Sequence, residues 1–119
     1  MKPEVHEPWV IDGDLDRCPV ADTLKSISGK HTPKIINCLA IQPQHFLELT
    51  RVFPGISRKV LTERLRELED AGLVSRSEVG DALSRVRYSL TPRGQGLARI
   101  LEQIYDWALQ AEDGQSEHA

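Results

Sequence analysis

A mainly α-helical fold with one small β-hairpin is what this 119-residue sequence predicts. Three observations carry that reading. Apolar residues recur at helical spacing in successive segments between Val20 and Ala108. Proline and glycine punctuate those segments at Pro19, Gly29, Pro33, Pro43, Pro54-Gly55, Gly72 and Pro92. One stretch, Arg85 to Leu90, changes to period two: Val86, Tyr88 and Leu90 alternate with Arg85, Arg87 and Ser89.

Residues 1–17 read as an extended arm. Pro3, Pro8 and Gly13 oppose regular structure, and Trp9, Val10 and Ile11 form one apolar patch within it. The domain spans 18–110. Its first helix is predicted over Pro19 to about Ser28, with proline at the first helical position and Val20, Leu24 and Ile27 on one side. Thr32-Pro33 caps and opens a second helix bearing Ile35, Ile36 and Leu39, which Gln42-Pro43 breaks. A third helix is predicted from about Gln44 to Val52, followed by a Pro54-Gly55 turn.

The fourth helix has the clearest limits. Ser57 is its N-cap and Gly72 its stop. Leu61, Leu65 and Leu68 share one face, leaving Lys59, Glu63, Arg66 and Asp70 on the other and Thr62 on the flank. Strands follow over Leu73–Val79 and Arg85–Leu90, joined by a tip at Gly80–Ser84. Thr91-Pro92 repeats the cap-and-proline signature and opens a last helix to about Gln110. Residues 111–119 read as a flexible tail. Three helices, a turn, a fourth helix, a two-stranded ribbon and a final helix make the winged helix-turn-helix plan.

Hydrophobic residues are 39% and charged residues 28%, enough apolar content for a core. The net charge of −3 argues against nucleic acid, but its distribution does not. Residues 51–93 carry a net +3, flanked by −2 before and −4 after. Phosphate contacts act within a Debye length of about 8–10 Å, so the local patch decides. Two cysteines fit a reduced compartment, and no apolar run approaches the roughly 20 residues of a membrane span. A cytoplasmic protein is expected.

A basic helix start after a turn suits the DNA major groove, where arginine and lysine reach guanine edges or phosphates. The candidates there are Ser57, Arg58, Lys59, Thr62, Glu63 and Arg66. The alternative is a solvated amphipathic face. Arg76, Arg85 and Arg87 on the ribbon suit a wing that follows the phosphate backbone; the alternative is an ordinary exposed hairpin. The last helix has more apolar residues than one core stripe needs: Leu97, Ile100, Leu101, Ile104, Tyr105, Trp107 and Ala108. With Trp9 they are the expected dimer interface. Dimerisation would set two recognition helices roughly 34 Å apart and predict a palindromic site. Cys18 precedes a helix start, which favours a reactive thiolate; the alternative is a small packing residue. Cys38 reads as buried and inert. His6, His31, His45 and His118 show no metal-ligand spacing, and no cofactor is expected. There is no phosphate loop and no nucleophile–base spacing, so an enzyme is not expected.

Several blocks also resemble one family. They are Cys18-Pro19-Val20, Ser28-Gly29-Lys30-His31-Thr32, Phe46-Leu47-Glu48-Leu49, Pro54 to Glu69, Gly72-Leu73-Val74 and Arg87 to Gly94. Together they resemble the HxlR family of bacterial transcriptional regulators over about residues 15–110. The resemblance implies a homodimeric winged helix-turn-helix protein on inverted-repeat operators. It also implies, for some members, sensing of oxidants or electrophiles through a cysteine at the position of Cys18. The sequence departs from the family at His31, where tryptophan is usual, and at Pro33, where a large aliphatic residue is usual. The expected function is a sequence-specific transcriptional regulator, a repressor, binding double-stranded DNA. The alternative is a winged helix that kept the fold as a protein-interaction module without DNA.

Overall fold

The computed structural model describes residues 13, 14, 16–78 and 86–117, with side chains to residue 110. Most of the predicted arm including Trp9, the hairpin tip, Arg85, and residues 118 and 119 lie outside the described residues. The chain divides into two units, one ending at Pro33 and one starting at Lys34.

In the first unit, helix α1 spans Pro19–Ile27. Cys18 is its N-cap in extended conformation, and the Cys18 carbonyl accepts from Asp22 N at 2.9 Å. Of the predicted apolar side, Ile27 is buried while Val20 and Leu24 are exposed. Helix α2 (Thr32–Ile41) begins one residue earlier than predicted, with Thr32 its first helical residue rather than its cap.

The boundary after Pro33 falls inside the first turn of α2, so the second unit holds most of α2 and all that follows. Strand β1 is Gln44–His45, helix α3 is Phe46–Val52 and helix α4 is Arg58–Asp70. Strands β2 (Val74–Glu78) and β3 (Val86–Leu90) precede helix α5 (Pro92–Glu117). The three strands form one antiparallel sheet in the order β1-β3-β2. Strand β1 corrects the prediction that helix starts at Gln44. Two residues are too few to show a period, and their pairing partners, Tyr88 and Arg87, lie more than forty positions away. The predicted end of α5 near Gln110 is also corrected, since the helix runs on to Glu117. Alanine, glutamate and glutamine favour helix there, and a single Gly114 costs only about 1 kcal/mol.

In the second unit the core follows the apolar periodicity of α2, α4 and β3. Ile35, Ile36, Leu49, Leu61 and Leu65 are essentially inaccessible, joined by Leu39, Phe46, Leu68, Val74, Val86, Tyr88 and Leu90. Each buried aliphatic side chain contributes about 1.5–3 kcal/mol at most. Between α3 and α4, Phe53 N donates to the Leu49 carbonyl and Ile56 N to the Phe53 carbonyl, both at 3.1 Å. That closes the Pro54-Gly55 turn and sets α4 against α3 as a helix-turn-helix pair. After α4 the chain reverses through Gly72 at φ +77°, a conformation only glycine adopts without strain.

Candidate nucleic-acid interface

Helix α4 starts cleanly because Ser57 Oγ accepts from Val60 N at 3.1 Å, satisfying one of the helix's orphan donors. Leu61, Leu65 and Leu68 then fix its rotation by burying one face. The opposite face is turned outward along a helix roughly 20 Å long. Ser57, Arg58, Lys59, Glu63 and Arg66 are exposed there and Thr62 is half-buried.

This face and the ribbon share a groove of about 630 Å³. Arg58, Lys59, Thr62, Glu63, Arg66 and Glu69 line it from α4, Arg76 from β2, Val86 and Tyr88 from β3, and Phe46 from α3. Four cations face two carboxylates, so the groove is positive in a chain whose total charge is −3. Among the described residues, Arg58, Lys59 and Arg66 join no ion pair; the pairs are Arg64–Glu67 at 3.1 Å and Arg76–Glu78 at 3.2 Å. Glu63 is not paired with Arg66. Tyr88 first, and then Glu78, hold the Arg76 guanidinium above its ordinary pKa.

Strand register separates the two described wing arginines. Arg76 stands opposite Tyr88 and shares the groove face with Val86. Arg87 stands opposite Ser77 and His45, on the other face, where Ser75 and Ser89 hydroxyls meet at 2.9 Å. Of the arginines expected on the wing, Arg76 and Arg87 therefore stand on opposite faces of the ribbon: side chains alternate along each strand, and the pairing puts these two out of phase. Sequence reasoning missed Glu69, Phe46, Val86 and Tyr88. Glu69 was visible as the next step of the row 59, 62, 66; the other three come from elements distant in sequence.

On α5, Leu97 is buried inside its own chain, which removes it from the expected dimer face. It lies in the first two turns, against the core, whereas the later residues run past it. Leu101 is half-buried, Ala108 is exposed, and Ile100, Ile104, Tyr105 and Trp107 are 53%, 46%, 64% and 69% exposed, with Leu109 beside them. Cys18 is half-buried, and so is Cys38, which the sequence had placed fully inside. Burial, and then the charge of Glu48, push the Cys38 thiol up from its ordinary pKa, which makes it a poor nucleophile.

A model of the HxlR-like helix-turn-helix family matches residues 26–116. The chain belongs to that family. The match takes in the groove and α5 and begins after Cys18. Among its helix-turn-helix relatives, the transcriptional regulator YodB of Bacillus subtilis is 36% identical over 92 residues, 76% of this chain and 82% of YodB. The solved structure of the redox regulator HypR in its reduced form superposes with a TM-score of 0.73 at 33% identity, covering 83% of this chain and 98% of HypR. Quinone-bound YodB superposes at 0.69 and 33% identity, covering 78% and 99%. Among the described residues of this HxlR-family chain, no helix is long and apolar enough to cross a membrane.

Proposed function

We propose that this chain is a DNA-binding transcriptional repressor of the cytoplasm that acts as a homodimer on an inverted-repeat operator. The observation that carries the reading is the shared groove. It gathers Arg58, Lys59, Thr62 and Arg66 of α4 with Arg76 of the ribbon, and Arg58, Lys59 and Arg66 join no ion pair among the described residues. Arginine and lysine on an exposed helix face can take guanine edges in a major groove, while the ribbon arginines take phosphates. The exposed Ile100, Ile104, Tyr105 and Trp107, with Leu101, supply the apolar surface for a second copy. Bound across a promoter, such a dimer represses by excluding polymerase.

Signal input is assigned to Cys18. The half-buried thiol at the start of α1 suits reaction with an oxidant or electrophile, and the quinone-bound state of YodB and the redox behaviour named for HypR support that class of signal. Modification would shift the dimer between DNA-competent and incompetent geometries.

The test is a fluorescence-anisotropy titration of duplexes selected from a random pool, at several salt concentrations. Replacing Lys59 and Arg66 by alanine, in both copies of the dimer, should weaken binding and flatten its salt dependence. Unchanged affinity would remove α4 from the interface. Absence of salt-sensitive binding to any duplex would favour a protein-interaction module. For Cys18, operator affinity of the wild type should fall after mild oxidant while Cys18→Ser does not respond; a wild type indifferent to oxidant removes the sensor.

A further inference from the structure

The motif Thr91-Pro92-Arg93-Gly94 opens α5, yet none of its residues lines the groove. It fastens α5 to the end of α4 instead. Thr91 N donates to the Leu73 carbonyl at 3.0 Å, and Thr91 Oγ1 donates to the Gly72 carbonyl at 2.6 Å. The same oxygen accepts from Gly94 N at 3.0 Å, capping α5. A hydroxyl has one proton to give, so both of its roles are filled. Gly94 is buried, and any Cβ placed on it would strike the Leu73 carbonyl.

Leu73 N in turn donates to the Leu68 carbonyl, and Gly72 N to the Glu69 carbonyl, each at 3.0 Å. Hydrogen bonds thus run without a break from the last turn of α4, through Gly72-Leu73, into the first turn of α5. Glu69 at one end lines the groove. At the other end, the exposed apolar residues of α5 begin at Ile100, less than two turns beyond Gly94. A long helix clamped at its base works as a lever.

We propose that Thr91 and Gly94 are positioning residues that fix the angle between α5 and α4, and so set the half-site spacing that two copies of this chain read. This rests on the DNA-binding, α5-paired reading given above. Thr91 itself touches no DNA.

The test compares the full-length wild type, Thr91→Val, which keeps the shape and loses the hydroxyl, and Thr91→Ser, which keeps the hydroxyl. Three duplexes are titrated: the selected operator, the same operator with its spacer lengthened by one base pair, and a single half-site. Wild type and Thr91→Ser should prefer the selected spacing by about ten-fold or more, the size of one or two hydrogen bonds. Thr91→Val should prefer it by about two-fold or less while keeping half-site affinity within about two-fold. Thr91→Val with the full spacing preference, or with half-site and operator affinity lost in equal measure, overturns the proposal. If Thr91→Val does not fold, amide exchange in the wild type decides. Operator binding must then slow exchange at Thr91 and Gly94, and unchanged rates there overturn the coupling. A wild type that binds no selected duplex overturns the DNA-binding reading itself; one that binds operator and half-site without any spacing preference overturns only the coupling and the pairing.

Discussion

Helices α4 and α5 are both amphipathic, yet they dispose of their apolar residues in opposite ways. Helix α4 buries Leu61, Leu65 and Leu68 within its own chain and turns charge outward. Helix α5 buries Leu97 near its start and turns Ile100, Ile104, Tyr105 and Trp107 outward. The first helix is finished as a folding element, so its outer face is free for recognition. The second leaves its outer face uncovered in a single chain, and the proposed pairing with a second copy would complete it.

The largest expected effect breaks α4 from within. Leu65→Ala removes a fully buried side chain and should cost about 2–5 kcal/mol, read as a lowered midpoint in urea unfolding. Next comes the junction. Helix propensity alone would make Gly94→Ala stabilising by about 1 kcal/mol, but the clash with the Leu73 carbonyl should reverse the sign to a loss of about 1–3 kcal/mol. Thermal unfolding distinguishes the two signs. Ser57→Ala, which deletes the α4 cap, should cost about 1 kcal/mol by the same measurement.

The smallest effects on folding come from the two outer faces, and they sharpen the contrast. Lys59→Ala with Arg66→Ala should change stability by no more than about 0.5 kcal/mol while weakening DNA binding. Ile104→Asp should leave each chain folded but convert the dimer to monomer in sedimentation velocity. A dimer that survives Ile104→Asp would show that α5 is not the seam.

Much of this was legible in the sequence where a signal was local. Ser57, Gly72 and Thr91-Pro92 marked helix ends, and leucines at 61, 65 and 68 marked the buried face of α4. What was not legible depended on distant parts of the chain. Strand β1 exists only because β3 is there to pair with it. Arg76 and Arg87 look equivalent as ribbon arginines, and only the register across the hairpin assigns them to opposite faces. The groove floor of Phe46, Val86 and Tyr88 is assembled from α3 and β3, whose residues read as plain core. Leu97 matched its apolar neighbours on α5 by type and spacing, and only the approach of α5 at Gly94 shows that it lies on the inner side.

Glu63 and Glu69 give the groove a further property. Placed among Arg58, Lys59, Arg66 and Arg76, they repel any phosphate that comes too near them. A duplex lying in an arbitrary register presents such phosphates, whereas a matched one offers base-edge donors such as the cytosine amino group instead. Random chromosomal sequence would therefore hold the protein only briefly, and the time spent scanning it would be short. On the proposed reading the carboxylates would weaken the grip everywhere except at the right address, and speed of search and selectivity would come from the same two side chains.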